Sequence, residues 1–179
     1  EAGLVPSSRV LRFERGEADA ILAGALQVAP GTPVFHLERL RLANDTPMAH
    51  EVTWLPVDAC PSLFRHNLAT DSLYRILTEV HGLRFGVVTE QVEAGLAGRT
   101  FARLLKTSPT DAVLIARRVV TDRTGRPVER TVGTHRADRA RRVAGPRRAR
   151  RGARRERARP RRSCGARRAL RHRAGPRSL

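Results

Sequence analysis

The chain has 179 residues, a hydrophobic content of 40% and a formal net charge of +18. This length allows one folded domain with room for a tail, and no apolar run approaches the roughly 18 residues of a membrane-spanning helix. No signal-peptide pattern opens the chain, and two cysteines, Cys60 and Cys164, make neither a disulfide framework nor a metal site. We therefore expect a reduced, cytoplasmic protein without a metal or another cofactor.

The positive charge is concentrated at the carboxyl-terminal end. Residues 1–139 carry 18 Lys or Arg and 16 Asp or Glu, whereas residues 140–179 carry 17 Arg and one acidic residue. Arg, Ala, Gly and Pro make up 32 of these last 40 residues, a composition that cannot bury enough apolar surface to fold. We predict a disordered tail over 140–179, either a basic arm for nucleic acid or the product of a shifted reading frame in a GC-rich gene. The tail has no aromatic residue to stack on bases, which weighs against the basic arm.

The first 139 residues alternate between strand-like and helix-like patterns. Alternating apolar residues predict strands, apolar residues three and four apart predict helices, and Pro and Gly mark the turns. The predicted elements are a strand at 10–15, a helix at 17–26, a hairpin at 34–56, a short helix or irregular turn at 57–64, a helix within 71–82, a strand at 85–97, a helix at 99–105, and strands at 112–121 and 127–139. This order predicts an α+β fold, a mainly antiparallel sheet of about six strands with helices packed on it.

The hairpin places two cations and an acid close together in sequence. Arg39 and Arg41 lie two residues apart and share one face of the first strand, while Glu51 lies on the return strand. An odd number of residues in the turn around Asn44 and Asp45 puts Arg39 directly across from Glu51, and an even number puts them on opposite faces. Two guanidinium groups beside a carboxylate can bind a small polyhydroxylated anion. The alternative is a solvated sheet face with ordinary cross-strand ion pairs.

The clearest helix follows the hairpin. We expect Thr70 or Asp71 to cap it and Gly82 to end it. Ser72 and Tyr74 lie in its first turn, where unpaired backbone N–H groups favour an anion. The two hydroxyl groups are therefore candidate ligand contacts, and simple packing of the tyrosine is the alternative.

The chain also contains a weak internal repeat. Residues 26–30 and 34–35 match residues 105–109 and 113–114 at a constant offset of 79 positions. Each copy runs from a helix through a proline-containing loop into a strand, a turn, a proline and a second strand. The repeat predicts one sheet built from two related halves, with a crevice between them.

Taken together, residues 8–139 resemble the effector-binding UTRA domain of GntR-type transcription regulators of the HutC subfamily. The resemblance implies a chorismate lyase-like fold and a homodimer, and it implies that residues 1–7 are the remnant of an interdomain linker. Its motifs occur in the family's order and spacing. They are Pro-Gly-Thr-Pro-Val at 30–34, the hairpin arginines and glutamate with Leu-Pro at 55–56, Ser-Leu-Tyr at 72–74, His-Gly-Leu at 81–83, Glu-Gln at 90–91, Gly-Arg-Pro-Val-Glu at 125–129 and Arg-Ala-Asp-Arg at 136–139.

The resemblance also implies a ligand and the residues that bind it. In members that sense amino-sugar phosphates, the two hairpin arginines hold the phosphate or neighbouring oxygens and the hairpin glutamate binds sugar hydroxyls. The family often has a tyrosine at the position of His135, a difference that bears on the identity of the ligand. The ligand-binding residues implied for this chain are Arg39, Arg41, Glu51, Ser72, Tyr74, Glu129 and His135.

The resemblance implies a ligand sensor and not an enzyme. A small anionic metabolite would modulate DNA binding by a winged helix-turn-helix domain, which the sequence lacks, so we expect a fragment that does not bind operator DNA by itself or contact a membrane. One alternative is a chorismate lyase-like enzyme, although the histidines form no recognisable Ser-His-Asp or Cys-His arrangement. Another is non-specific binding of nucleic acid through the arginine-rich tail.

Overall fold

The computed structural model describes residues 5–139, which form a six-stranded antiparallel sheet with three α-helices. The strand order is β1-β2-β3-β6-β5-β4, which confirms the predicted α+β fold. Two 3-10 turns, Val57–Ala59 and Leu63–Arg65, follow β3. The elements are β1 (Pro6–Glu17), α1 (Ala20–Leu26), β2 (Pro33–Ala43), β3 (Thr46–Pro56), α2 (Leu73–Glu79), β4 (Phe85–Leu96), α3 (Gly98–Leu105), β5 (Ala112–Asp122) and β6 (Pro127–Arg136). The predicted tail lies outside the described residues.

The sheet consists of two halves with the same order of elements. A strand, a helix and two strands form β1-α1-β2-β3 and again β4-α3-β5-β6, and the halves join where β3 pairs with β6. The C-cap residues of α1 and α3 are Gln27 (φ 53°) and Lys106 (φ 52°), both in the left-handed backbone conformation and 79 positions apart. The two related halves predicted from the repeat are therefore confirmed.

The alternation of side chains along β2 divides the sheet into two faces. Even-numbered residues such as Val34 lie on the face covered by α1 and α3, which pack on β6 and β3 respectively. Phe35 and Leu37 lie on the other face and form a core with α2 and the segment that leads to it. Because Arg39 and Arg41 continue this odd-numbered series, both lie on the α2 face.

The predicted cap of α2 is wrong, and α1 begins at Ala20, three residues after its predicted start. The N-cap of α2 is Ser72, not either of the two residues before it, and its Oγ accepts a hydrogen bond from the backbone N–H three residues later at 3.4 Å. Asp71 does not cap because its carboxylate accepts a hydrogen bond from the backbone N–H of Asn67. The helix α3 begins at Gly98, one residue before its predicted start.

The ends of the sheet differ slightly from the predicted boundaries. β1 begins within the segment 1–7, and Pro6 and Ser7 pair with β2. β6 ends at Arg136, three residues before the predicted end of that strand. Within residues 5–139, no helix is long and apolar enough to cross a membrane.

Candidate functional site

A bulge in the β2–β3 hairpin brings the predicted arginine and glutamate together. The turn, Asn44–Asp45, has two residues, both with positive φ (46° and 59°). This even turn alone would pair Arg39 with His50. Met48 has no partner across the hairpin, and this bulge shifts the register by one residue, so that Arg39 pairs with Glu51. The backbone thus decides the alternative that the sequence left open, and both side chains lie on the α2 face.

The first charged cluster of the site contains two arginines and one glutamate. Arg39 is 6% exposed, and its Nη2 lies 3.4 Å from Glu51 Oε2. Arg41 Nε lies 3.7 Å from the same oxygen, and Arg41 Nη1 donates a hydrogen bond to Ser8 Oγ at 2.7 Å. Burial lowers the pKa of Arg39, Glu51 opposes this change, and the positive charge of Arg41 adds to it. One carboxylate interacts with two guanidinium groups, so this cluster by itself has one unbalanced positive charge that can attract an anion.

Glu129 is the centre of the second cluster. It is 1% exposed, and its Oε1 accepts hydrogen bonds from Tyr74 OH (3.0 Å), Arg118 Nη2 (3.0 Å) and Thr131 Oγ1 (2.8 Å). Burial, followed by the negative charge of Glu129, raises the pKa of Tyr74, so its phenol stays protonated and donates. These hydrogen bonds therefore connect the first turn of α2 to β5 and β6.

A cavity of about 570 Å³ lies on the α2 face between the two clusters. Its walls come from the start of β1, from β2 and β3, from residues 68–74 at the start of α2, and from Arg118 on β5. This volume is within the range of small-molecule sites, about 300–1,000 Å³. Residues 5–139 contain no group of three or more His, Cys, Asp or Glu side chains placed to hold a metal ion.

The cavity brings together most of the predicted ligand-binding residues. Glu129 lies behind Tyr74 and Arg118 and does not itself line the cavity. The predicted residues that line the cavity are Arg39, Arg41, Glu51, Ser72 and Tyr74.

His135 lies beside the cavity and not in its wall. It shares a face of β6 with Glu129, and its ring lies over Gly133, where an added Cβ would be 2.6 Å from His135 Nε2. Burial lowers the pKa of His135; Glu51 opposes this change and Arg118 adds to it. His135 is thus close enough for charges of both clusters to change its pKa. Its contact with a ligand stays a prediction.

The sequence analysis missed Arg118, which lines the cavity from the second half of the sheet. The signal that could have found it is the internal repeat, since Arg118 follows Arg39 by the same 79 positions. Ser8 was also missed, because a serine near the start of a strand has no pattern of its own. Its contact with Arg41 depends on the pairing of β1 with β2.

Sequence comparisons agree on one family. The UTRA domain family model matches residues 1–141. The mannosyl-D-glycerate transport/metabolism system repressor MngR of Escherichia coli is 32% identical over 107 residues, which is 60% of this chain and 44% of that protein. The HTH-type transcriptional regulator GmuR of Bacillus subtilis is 27% identical over 131 residues, 73% of this chain and 55% of that protein. The chain thus spans about half the length of the curated relatives it matches.

Solved structures have the same fold. The effector domain of PhnF from Mycobacterium smegmatis matches with a TM-score of 0.71 at 26% identity, over 76% of this chain and 83% of that one. The C-terminal domain of the histidine utilization repressor from Pseudomonas syringae matches with a TM-score of 0.71 at 23% identity, over 79% of this chain and 98% of that one.

Proposed function

The chain belongs to the UTRA domain family, and we propose that it is the ligand-sensing domain of a GntR-type transcription regulator of the HutC subfamily. It binds a small phosphorylated sugar, such as an amino-sugar phosphate, or a similar anion. Binding of this ligand changes the affinity for operator DNA of a winged helix-turn-helix domain outside these 179 residues.

The arginines that line the cavity carry this proposal. Three arginines line it together with Glu51 and Asp71; Arg39 and Arg41 share the carboxylate of Glu51, and Arg118 pairs with Glu129. The Nε atoms of Arg39 and Arg118 are buried without a hydrogen-bond partner. Buried cations with unused donors are stabilised by an incoming anion, and phosphate offers several acceptor oxygens to a guanidinium group.

The named relatives support a regulatory role. The proteins from Escherichia coli and Bacillus subtilis are named as a repressor and as an HTH-type regulator, and this chain matches about half of each. The matched part of the PhnF protein is called an effector domain. We therefore assign the sensing step to this chain and DNA binding to a separate domain.

The cavity can couple ligand binding to a change of arrangement because its walls come from several elements. A ligand there contacts both β2 and the start of α2, and α2 is fastened to β5 and β6 through Tyr74 and Glu129. A ligand shifts the regulator only if it binds one arrangement more tightly than the other. We expect these arrangements to be those of a cytoplasmic homodimer, as in the family.

Isothermal titration with glucosamine 6-phosphate and related sugar phosphates tests the proposal. We expect the wild type to bind and Arg39→Ala to weaken binding by about tenfold to a hundredfold, because a charge-assisted hydrogen bond is lost. Glu51→Ala should weaken the binding of sugar phosphates but leave the binding of inorganic phosphate unchanged. The matched control is Arg117→Ala, which removes an arginine of an exposed cross-strand pair with Glu93. Absence of binding to every phosphorylated sugar would contradict the proposal.

A chorismate lyase-like activity is the second candidate, because the same arginines could bind a dicarboxylate. The one cysteine within residues 5–139, Cys60, is buried, and burial raises the pKa of its thiol to about 12, so it is not a nucleophile at neutral pH. We expect no release of 4-hydroxybenzoate from chorismate. Its release at a rate abolished by Arg39→Ala would favour the enzyme.

A further inference from the structure

Arg118 is the cavity residue that comes from the second half of the sheet. Its side chain is 29% exposed, and its Cζ lies 5.9 Å from the centre of the Tyr74 ring. Nη2 donates to Glu129, and Nε is buried without a partner. Because Arg118 lines the cavity and its side chain is partly exposed, its guanidinium group can donate to a ligand there.

The two ends of the cavity differ in charge. At one end Arg39 and Arg41 share the carboxylate of Glu51, the one acid that forms a salt bridge with either arginine among the described residues. At the other end the charge of Arg118 is matched by Glu129, which is buried directly behind it. The first end therefore favours an anionic group, and the second favours neutral oxygen atoms that accept hydrogen bonds.

The distance between these ends fits a ligand of sugar size. β2 and β5 are separated by β3 and β6, so three strand spacings, about 14 Å, separate their backbones. The long side chains of Arg39 and Arg118 reach into the cavity from these two strands and shorten the gap. A phosphorylated sugar is long enough to contact side chains from both strands.

We propose that Arg118 is a specificity-determining residue that donates hydrogen bonds to hydroxyl or ring oxygens at the uncharged end of the ligand, while Arg39 and Arg41 hold its anionic group. This inference rests on the proposed function of the cavity. Glu129 holds the guanidinium group of Arg118 in place through a hydrogen bond, and the ring of Tyr74 lies against that guanidinium group. Selection of a sugar over a plain phosphate is thus assigned to the second half of the sheet.

Titrations with glucosamine 6-phosphate and with inorganic phosphate test this division. Arg118→Gln should weaken binding of the sugar phosphate by about tenfold and change phosphate binding by less than about twofold. Arg41→Gln should weaken both probes. Arg117→Gln, at the preceding residue of β5 and on the opposite face, should change the binding of neither probe.

A second variant separates ligand contact from folding. Arg118→Gln leaves Glu129 buried without a cation, whereas the double variant Arg118→Gln/Glu129→Gln restores a neutral hydrogen-bonded pair and should be nearly as stable as the wild type in thermal unfolding. It should still bind the sugar phosphate about tenfold more weakly.

Three outcomes would overturn the inference. Full affinity of the folded double variant for the sugar phosphate would show that Arg118 makes no contact with the ligand. If Arg118→Gln lost affinity for both probes equally, Arg118 would be a phosphate contact instead. If the wild type bound neither probe, the proposed function itself would fail, a result distinct from the other two.

Discussion

The two halves of the sheet have the same order of elements but differ in what covers them. On the α2 face, Phe35 and Leu37 of the first half are fully buried beneath α2 and its neighbouring turns. In the second half, Val88 and Val92 of β4 are 55% and 42% exposed. The repeated segments thus build the sheet, whereas the single segment between the halves, residues 57–83, creates the covered core and a wall of the cavity.

The halves also use equivalent positions differently. Arg39 pairs with Glu51, and Arg118, its counterpart in the repeat, pairs with Thr131. The carboxylate that neutralises Arg118 comes from Glu129, two residues before Thr131 on the same face. Moving one acid by two positions replaces a carboxylate that is 18% exposed with one that is 1% exposed.

The largest expected effect contrasts the two carboxylates. Glu129→Ala should lower the free energy of unfolding by about 3–5 kcal/mol, because it removes one partner of a buried ion pair. Glu51→Ala should lower it by only about 1–3 kcal/mol, because the Glu51 side chain is 18% exposed and its contacts with both arginines are longer. Urea unfolding followed by circular dichroism measures both. An equal loss would mean that the two clusters do not differ in strength.

The next contrast tests the coverage of the two halves. Leu77→Ala should lower the free energy of unfolding by about 2–5 kcal/mol, because Leu77 is fully buried between α2 and the sheet. Val92→Ala should change it by less than about 0.5 kcal/mol, because Val92 is exposed. The same urea titrations apply. A large loss for Val92→Ala would show that the second half is covered in solution.

A smaller effect is expected at two glycines of the second half of the sheet, one on β6 and one on β4. Gly133→Ala should destabilise by about 1 kcal/mol, because the ring of His135 must move away from the new methyl group. Gly95→Ala should be neutral or slightly stabilising, since its Cβ would lie 3.4 Å from the Ile115 side chain, an ordinary contact. Thermal unfolding measures both changes. The double variant Gly133→Ala/His135→Ala should recover most of the loss, and failure to recover it would place the clash elsewhere.

The smallest expected effect is a dependence of the free energy of unfolding on pH through His135. In the first half the equivalent residue is the apolar Leu55, since Leu114 pairs with His135 as Phe35 pairs with Leu55. Burial lowers the pKa of His135, so the unfolded chain binds the proton more readily. The free energy of unfolding should therefore decrease as the pH falls from about 7 through the ordinary histidine pKa, about 6.5, towards the lower folded value.

The variant His135→Gln isolates this contribution. It should reduce the dependence of the free energy of unfolding on pH between about 7 and 5, measured by urea unfolding at several pH values. A residual dependence should remain, because burial also lowers the pKa of His36 and of His81. An unchanged slope would show that His135 titrates as freely in the folded protein as in the unfolded chain.

The sequence by itself determined the fold class and named the candidate residues of the first charged cluster. Alternating apolar residues and turn residues are local signals, so strands such as β5 were predicted to within one residue. The pairing of two arginines two positions apart with a nearby acid is also local, which is why Arg39, Arg41 and Glu51 could be named in advance. The repeat predicted the two halves because each half preserves the same local order.

Only the tertiary structure decided how these pieces meet. The bulge at Met48 sets the face of Glu51, and one extra residue in a strand leaves no clear trace in the hydrophobic pattern. Arg118 joins the site through pairings between strands that are distant in sequence, and Glu129 meets Tyr74 across 55 positions. Such contacts depend on register and on packing across the sheet, which a pattern read along one strand does not contain.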